Sequence, residues 1–207
     1  MKKLFLTSLA GAFIALSALM SCSSDDTADP KKQEMEKRIS SIIPADLLNK
    51  VKLHMTIYDG TTPPNIEGTF LLDPMIGVYD SNGNDISGMN FGGYALKFTN
   101  QNTSINTFDY EDKQNGMVLQ SGKGVISGSG NNFTVYIETK GRNKGINTTS
   151  AIIYSGTKTA EGIRNLKHVL VLVSKDDDPE HKLVDVGTCR MYKDGDDLCE
   201  PVNWEDY

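Results

Sequence analysis

The stretch Phe133-Thr134-Val135-Tyr136-Ile137-Glu138-Thr139-Lys140 is typical of a short strand and belongs to a series of such segments. On both sides of it, further segments of this kind follow at about 8–12-residue spacing, separated by clusters of Gly, Asn and Ser. The predicted strands are residues 51–58, 66–72, 77–79, 94–99, 105–111, 117–120, 125–127, 133–140, 150–158, 165–174 and 184–193. The first of them, VKLHMTIY at 51–58, alternates strictly between apolar and polar residues, which indicates a half-buried strand.

No helical run separates these segments, so the crossover helices of a parallel sheet are missing. The series predicts an antiparallel meander, as a barrel or a sandwich. Short turns between adjacent strands favour an up-and-down barrel over a Greek key. We therefore expect an all-β protein with an antiparallel up-and-down barrel of about 8–11 strands in residues 51–200, followed by a C-terminal tail at 201–207.

A short N-terminal helix is expected before the barrel, within a helical segment at residues 31–50. Met35, Ile39 and Ile42 recur at helical spacing, and the residue before Pro44 is disfavoured in helices. The narrow apolar stripe predicts that this helix caps the open end of a core.

The first 21 residues have the order of a secretory signal: Lys2 and Lys3, then an apolar block at 4–19. The block is shorter than the roughly 20 apolar residues that span a bilayer, and polar residues interrupt it. Leu19-Met20-Ser21-Cys22 resembles the lipobox of bacterial lipoproteins. That resemblance implies cleavage before Cys22, acylation of its thiol, and anchoring in a lipid bilayer through Cys22.

Residues 22–30 are small and acidic and predict a flexible tether. Ser23-Ser24-Asp25-Asp26 resembles the surface-export signal of Bacteroidetes lipoproteins, and Asp26-Thr27-Ala28 is similar to an O-glycosylation motif of the same phylum. The resemblances imply an outer-membrane protein displayed at the cell surface, with a glycan on Thr27. The alternative is an ordinary solvated linker, because such linkers are also rich in Ser and Asp.

The charge balance is acidic. The whole chain has a formal net charge of −6, and removal of Lys2 and Lys3 with the signal would lower it to −8. An acidic chain without basic clusters argues against nucleic acid as a partner and against docking on anionic lipid.

Three short motifs carry a further resemblance that extends over most of residues 44–193. They are Pro63-Pro64-Asn65-Ile66-Glu67-Gly68-Thr69-Phe70, Ser155-Gly156-Thr157 and Gly162-Ile163-Arg164-Asn165. They resemble a group of Bacteroidetes lipoproteins with lipocalin-like (calycin-type) barrels. The resemblance implies a barrel with an interior cavity and assigns no site residues. Read mechanically, Gly68 and Gly156 can mark bends or bulges in strands.

Two cysteines remain beyond Cys22. If Lys193-Asp194-Gly195 formed a three-residue hairpin loop, outward counting would pair Cys189 with Cys199 across the ladder, at a distance that a disulfide can span. An exported compartment is oxidising enough to form that bond. The alternative is two reduced thiols in the core.

No catalytic or metal-binding motif is evident, and we expect no cofactor. Asp80, Asn82 and Asn84 resemble the start of a calcium loop, but Asp85 and Phe91 stand where Gly and Glu are required, so a solvated turn is predicted. His54, His168 and His181 lack metal-ligand spacing. Trp204 either closes one barrel end or lies in the tail.

Three functions are compatible with this sequence. The first is a binding module that takes a small apolar or amphipathic ligand inside the barrel. The second is a structural or accessory surface protein that contacts another envelope protein or a glycan through its loops. The third, an enzyme, ranks last because no nucleophile–base or metal constellation is visible.

Overall fold

The computed structural model describes residues 29–207. The predicted signal peptide, the lipidation site Cys22 and the glycosylation site Thr27 lie outside the described residues. Within residues 29–207, no helix combines the length and the apolar character needed to cross a bilayer.

Two helices are followed by eleven strands and a final turn of 3-10 helix. The helices are α1 (Pro30–Ile42) and α2 (Ala45–Lys52), and the 3-10 turn is Trp204–Asp206. The strands are β1 (Thr61–Thr62), β2 (Gly68–Leu72), β3 (Met75–Asp80), β4 (Tyr94–Asn102), β5 (Thr107–Gln114), β6 (Met117–Ser129), β7 (Asn132–Asn143), β8 (Ile146–Lys158), β9 (Ile163–Lys175), β10 (Cys189–Asp194) and β11 (Leu198–Cys199).

Nine of these strands form one curled, half-barrel sheet in the order β2-β4-β5-β6-β7-β8-β9-β10-β3. From β4 to β10 each strand pairs antiparallel with the next strand in the chain, so the predicted antiparallel, mostly-β fold is confirmed. The two strands at the ends of this order, β2 and β3, are linked by the dipeptide Asp73-Pro74 alone. Two short strands lie off the path: β1 pairs parallel with β6, and β11 pairs antiparallel with β9.

Chain segments cover both margins of the sheet. Along β2, the amide of Leu71 donates to the carbonyl of Glu200 at 2.9 Å, and the amide of Val202 donates to Thr69 at 3.0 Å. Along β3, the amide of Gly77 donates to the carbonyl of Met89 at 2.9 Å. Backbone groups on both edge strands are thereby paired within the chain.

The sheet has two buried faces, and each belongs to a separate core. The concave face holds the interior cluster, which includes Phe98, Tyr110 and Tyr154. The opposite face packs under α1 and α2 in the helix-facing cluster, which includes Met35, Val51 and Val169. Because both faces are covered, residues 133–137 of β7 are buried consecutively rather than alternately. Helix α1 therefore lies over the outer face of the sheet and does not cap an open end.

The strand predicted at residues 51–58 is wrong. Val51 and Lys52 end helix α2, and residues 53–60 form turns and irregular structure. Val51 and Met55 are both buried in the helix-facing cluster. Their four-residue spacing fits one helical face as well as it fits alternation, and the packing against the sheet selects the helix.

The ladder between β8 and β9 shifts register between Ser155 and Thr157, so Gly156 lies at an irregularity of the strand, as the sequence suggested. A side chain at this position would meet Ile163 of β9.

Candidate functional site

Three aromatic side chains from neighbouring strands form a row across the concave face. His168 of β9 is the direct register partner of Tyr154 on β8 and of Tyr192 on β10. Its ring centroid lies 4.7 Å from that of Tyr154 and 5.3 Å from that of Tyr192, and both pairs are stacked. Direct cross-strand neighbours are close enough for such contact, so the register of the sheet builds the row.

A chain of hydroxyl groups joins this row to a buried carboxylate. The hydroxyls of Tyr154 and Tyr110 are 2.8 Å apart, and Tyr110 donates to Asp112 Oδ2 at 2.8 Å. The backbone amide of Gln120 donates to Asp112 Oδ1 at 3.0 Å. Phe108, Tyr110 and Asp112 alternate inward along β5, which places the carboxylate on the same face as the aromatic row.

The electrostatics of the site follow from burial. Burial raises the pKa of Asp112 to about 6, partly offset by the hydrogen bonds from Tyr110 and the Gln120 amide. Burial lowers the pKa of His168 to about 3, so its imidazole is neutral near pH 7. Neither His168 nitrogen has a hydrogen-bond partner among the described residues, although the side chain is only 9% exposed. At pH 7 the site thus combines a carboxylate with an unpartnered neutral imidazole.

These groups surround a cavity of about 100 Å³, which we call the inner chamber. Its volume corresponds to about three water-sized groups. Its walls are Leu72, Met75, Tyr94, Asp112, Gln120, Tyr154, His168, Leu170 and Tyr192.

A larger depression of about 290 Å³, which we call the outer groove, adjoins the inner chamber at Leu170, a residue that lines both. Ser150, Leu170 and Leu172 contribute to its wall, and Lys144, Lys182 and Arg190 contribute basic groups. His168, Leu170 and Leu172 occupy alternate positions of β9, so one strand face leads from the chamber into the groove.

Beyond Tyr110 the interior is filled by phenylalanine side chains. Phe98 lies 5.6 Å from Tyr110 and 5.7 Å from Phe108 between ring centroids. Phe98 and Phe133 are fully buried, and Phe70 and Phe108 are nearly so. The concave face is therefore packed with side chains at one end and keeps its cavities at the other.

The disulfide predicted between Cys189 and Cys199 is absent, and both cysteines are free. Strands β10 and β11 do not pair as a hairpin, because both pair with β9. Cys189 is opposite Val171, and Cys199 is opposite Ile163, which lies eight positions earlier on β9. Cys189 belongs to the helix-facing cluster and Cys199 to the interior cluster, so the two thiols also lie on opposite faces of the sheet.

Cys199 lies instead near a second buried carboxylate, Asp194. Asp194 is 0% exposed, and neither of its oxygens has a hydrogen-bond partner in the described part of the chain. Burial, and then the nearby charge of Asp196, raise the pKa of Asp194 to about 7. Burial and the Asp194 charge raise the pKa of the Cys199 thiol well above its usual range, so this thiol is unreactive as a nucleophile.

The turn at Asp80 is held by its own side chains. Asp80 accepts hydrogen bonds from the Asn82 amide at 2.9 Å and the Asn84 side chain at 2.8 Å, and pairs with Arg190 at 3.0 Å. Within residues 29–207, no group of three or more His, Cys, Asp or Glu side chains is arranged to hold a metal ion.

Trp204 does not close the interior. Its ring lies near the ammonium groups of Lys97 and Lys113, at 4.8 Å and 4.4 Å, and Lys113 also donates to its carbonyl at 2.8 Å. These contacts hold the C-terminal tail against β4 and β5.

Sequence reasoning did not find Tyr110, Asp112 or Tyr154, and it noted only that His168 lacks metal-ligand spacing with the other histidines. These residues lie on three strands and meet only through register. One kind of signal was available, the alternation of side chains along a strand. Asp112 follows Phe108 and Tyr110 at alternate positions of β5, and His168 and Leu170 are alternate residues of β9, so each polar residue faces the same side as its apolar neighbours. A polar residue at an inward position of a strand indicates either a partner or a site.

Comparisons with protein-family models, with curated proteins and with solved structures found no match to this chain.

Proposed function

We propose that this chain is a bacterial envelope lipoprotein whose β-domain is a lipocalin-like, up-and-down barrel that binds a small amphipathic ligand in its interior. The resemblance of residues 1–28 to lipoprotein signals supports the anchoring. The sequential strand order from β4 to β10, with β2 and β3 joined at a two-residue corner, supports the barrel type.

One observation carries the binding function: the inner chamber and the outer groove adjoin at Leu170, which lines both. The chamber is polar at Asp112 and His168, whereas Leu170 and Leu172 make part of the groove apolar. Ligand sites are typically concave, largely apolar, and supplied with a few polar groups. A ligand with a polar end in the chamber and an apolar body along the leucines matches both surfaces.

Blocking the junction tests this proposal. Leu170→Trp adds bulk to the wall that both cavities share and should weaken binding of the fluorescent probe 1-anilinonaphthalene-8-sulfonate at least tenfold, as measured by titration. Leu53→Trp is the matched control, because Leu53 is 79% exposed and lines neither the inner chamber nor the outer groove. Equal binding by all three proteins, together with an empty chain in native mass spectrometry of protein from its host, would refute the binding function.

The anchoring has its own test. Cys22 should incorporate radiolabelled palmitate in the host, and Cys22→Ser should move the protein from the membrane to the soluble fraction. Unlabelled protein with unchanged fractionation would refute the lipid anchor while leaving the binding site unaffected.

A second candidate function, contact with another envelope protein or a glycan, is favoured by the exposed apolar residues at the start of β6. Met117, Val118 and Leu119 are 62%, 51% and 45% exposed. Contiguous exposed apolar side chains are typical of interaction surfaces. Crosslinking in the host should then capture a partner with wild type and lose it with Val118→Asp, whereas capture that is unchanged by the substitution counts against this surface.

A further inference from the structure

We propose that the inner chamber selects a ligand whose polar end is a small ammonium group, either primary or methylated. This inference rests on the proposed function, because it concerns the same chamber. It goes further by assigning a charge to the buried end of the ligand.

The wall of the inner chamber carries a negative charge without a positive partner. Asp112 is 2% exposed, and it forms no ion pair with any of the described residues. None of the nine side chains that line the chamber is a lysine or an arginine. A buried carboxylate without a positive partner is costly, and a cation of the ligand would compensate it.

The chamber also offers a hydrogen-bond acceptor and aromatic rings. His168 is nine-tenths buried, and both of its nitrogens lack a partner within residues 29–207. Its neutral imidazole offers one acceptor nitrogen without adding a positive charge. Tyr94, Tyr154 and Tyr192 also line the chamber. Aromatic rings attract ammonium groups, and methylated ammonium ligands are often held by such rings together with a carboxylate.

The size of the chamber and the charges near it restrict the ligand further. A volume of about 100 Å³ admits a headgroup of a few heavy atoms and excludes a larger polar body. Lys144, Lys182 and Arg190 line the outer groove and no acidic side chain does, although Lys182 pairs with Glu180 and Arg190 with Asp80. The outer end of the ligand should therefore be neutral or anionic. The cation is therefore favoured in the chamber and disfavoured in the groove.

The test compares choline with 3,3-dimethyl-1-butanol, its neutral isostere, which has the same shape and hydroxyl group. Changes in the chemical shifts of the His168 imidazole resonances, measured on the full-length chain, give the dissociation constants of both compounds. At pH 8 we expect choline to bind at least tenfold more tightly than the isostere. In Asp112→Asn this ratio should fall to about one. Glu111→Gln is the control, because it removes a neighbouring negative charge that pairs with Lys97 and does not line the chamber.

Acidification supplies an independent readout. The titratable groups that line the chamber are Asp112, His168, Tyr94, Tyr154 and Tyr192. Burial raises the pKa of all three tyrosines and lowers that of His168 to about 3, so only Asp112, with its pKa of about 6, titrates between pH 8 and pH 5. Choline affinity should fall about tenfold over this interval.

The outcomes separate the two proposals. Equal affinities for choline and the isostere, or choline binding that survives Asp112→Asn, would overturn ammonium selection and leave the binding function standing. Absence of binding by both compounds would also overturn ammonium selection. The Leu170→Trp probe titration and native mass spectrometry would still decide the binding function independently of the choline experiment.

Discussion

The imidazole of His168 and the phenol of Tyr154 lie face to face across two hydrogen-bonded strands, with ring centroids 4.7 Å apart and planes inclined by 24°. This contact places a neutral histidine inside a sheet that offers no hydrogen-bond partner to either nitrogen among the described residues. Because His168 stays neutral in the folded chain, the free energy of unfolding should depend on pH.

His168→Phe should change how stability depends on pH. The folded-state pKa of His168 is about 3 and its unfolded value is near 6.5, so the unfolded chain takes up the proton first as the pH falls. The wild type should therefore lose about 2 kcal/mol relative to His168→Phe between pH 7.5 and pH 5. Urea unfolding at the two pH values measures the difference.

Leu170→Ala is the control for that experiment, because it lies on the same strand and removes no titratable group. Its free-energy difference from wild type should be the same at both pH values. A constant difference for His168→Phe as well would contradict the burial of a neutral imidazole.

Tyr110→Phe should destabilise the folded chain by about 1–3 kcal/mol, because the Tyr110 hydroxyl is bonded to both Asp112 and Tyr154 and its loss leaves buried polar atoms with fewer partners. Tyr192→Phe removes a hydroxyl that makes no side-chain hydrogen bond within residues 29–207, and it should cost less than about 0.5 kcal/mol. Chemical unfolding of both variants gives the comparison. Equal losses would show that the hydroxyl chain contributes nothing specific.

Asp194→Asn should remove a second pH dependence, of opposite sign. The folded-state pKa of Asp194 is about 7 and its ordinary value is 3.8, so the folded chain takes up this proton first as the pH falls. The wild type should gain up to about 4 kcal/mol relative to Asp194→Asn between pH 8 and pH 4. Thermal unfolding across this range provides the measurement, and parallel curves for the two proteins would argue against the raised pKa.

Cys189 and Cys199 should both be free thiols that fail to react in the folded chain, because they are only 3% and 0% exposed. Alkylation without reducing agent should label neither thiol under native conditions and both after denaturation. Peptide mass mapping locates the label. A Cys189–Cys199 crosslinked peptide from non-reduced protein would contradict the strand pairing of β10 and β11 with β9.

The sequence allowed the antiparallel β class and most strand positions to be predicted, because strand segments and turn residues are local signals. The segment 51–58 failed, since Val51 and Met55 suit a helical face as well as a strand face. The Cys189–Cys199 pairing failed for another reason. Sequence spacing between the two cysteines suggested a hairpin, whereas β9 is long enough to pair with β10 and β11 in succession.

The candidate site was beyond local reasoning. Tyr110, Tyr154 and His168 are separated by 44 and then 14 positions, and their contacts depend on the register of β5, β8 and β9. Sequence spacing carries no information on such a register, which the packing of both sheet faces determines.

The covered margins of the sheet limit how this protein can associate with itself. Residues 200–202 run along β2 and residues 89–91 run along β3, so a strand from another molecule finds no vacant row of amides and carbonyls at either border. Fibril growth or strand exchange would first require one of these covering segments to detach from its edge strand. Loss of the C-terminal residues 200–207 should therefore expose the edge of β2 and favour aggregation.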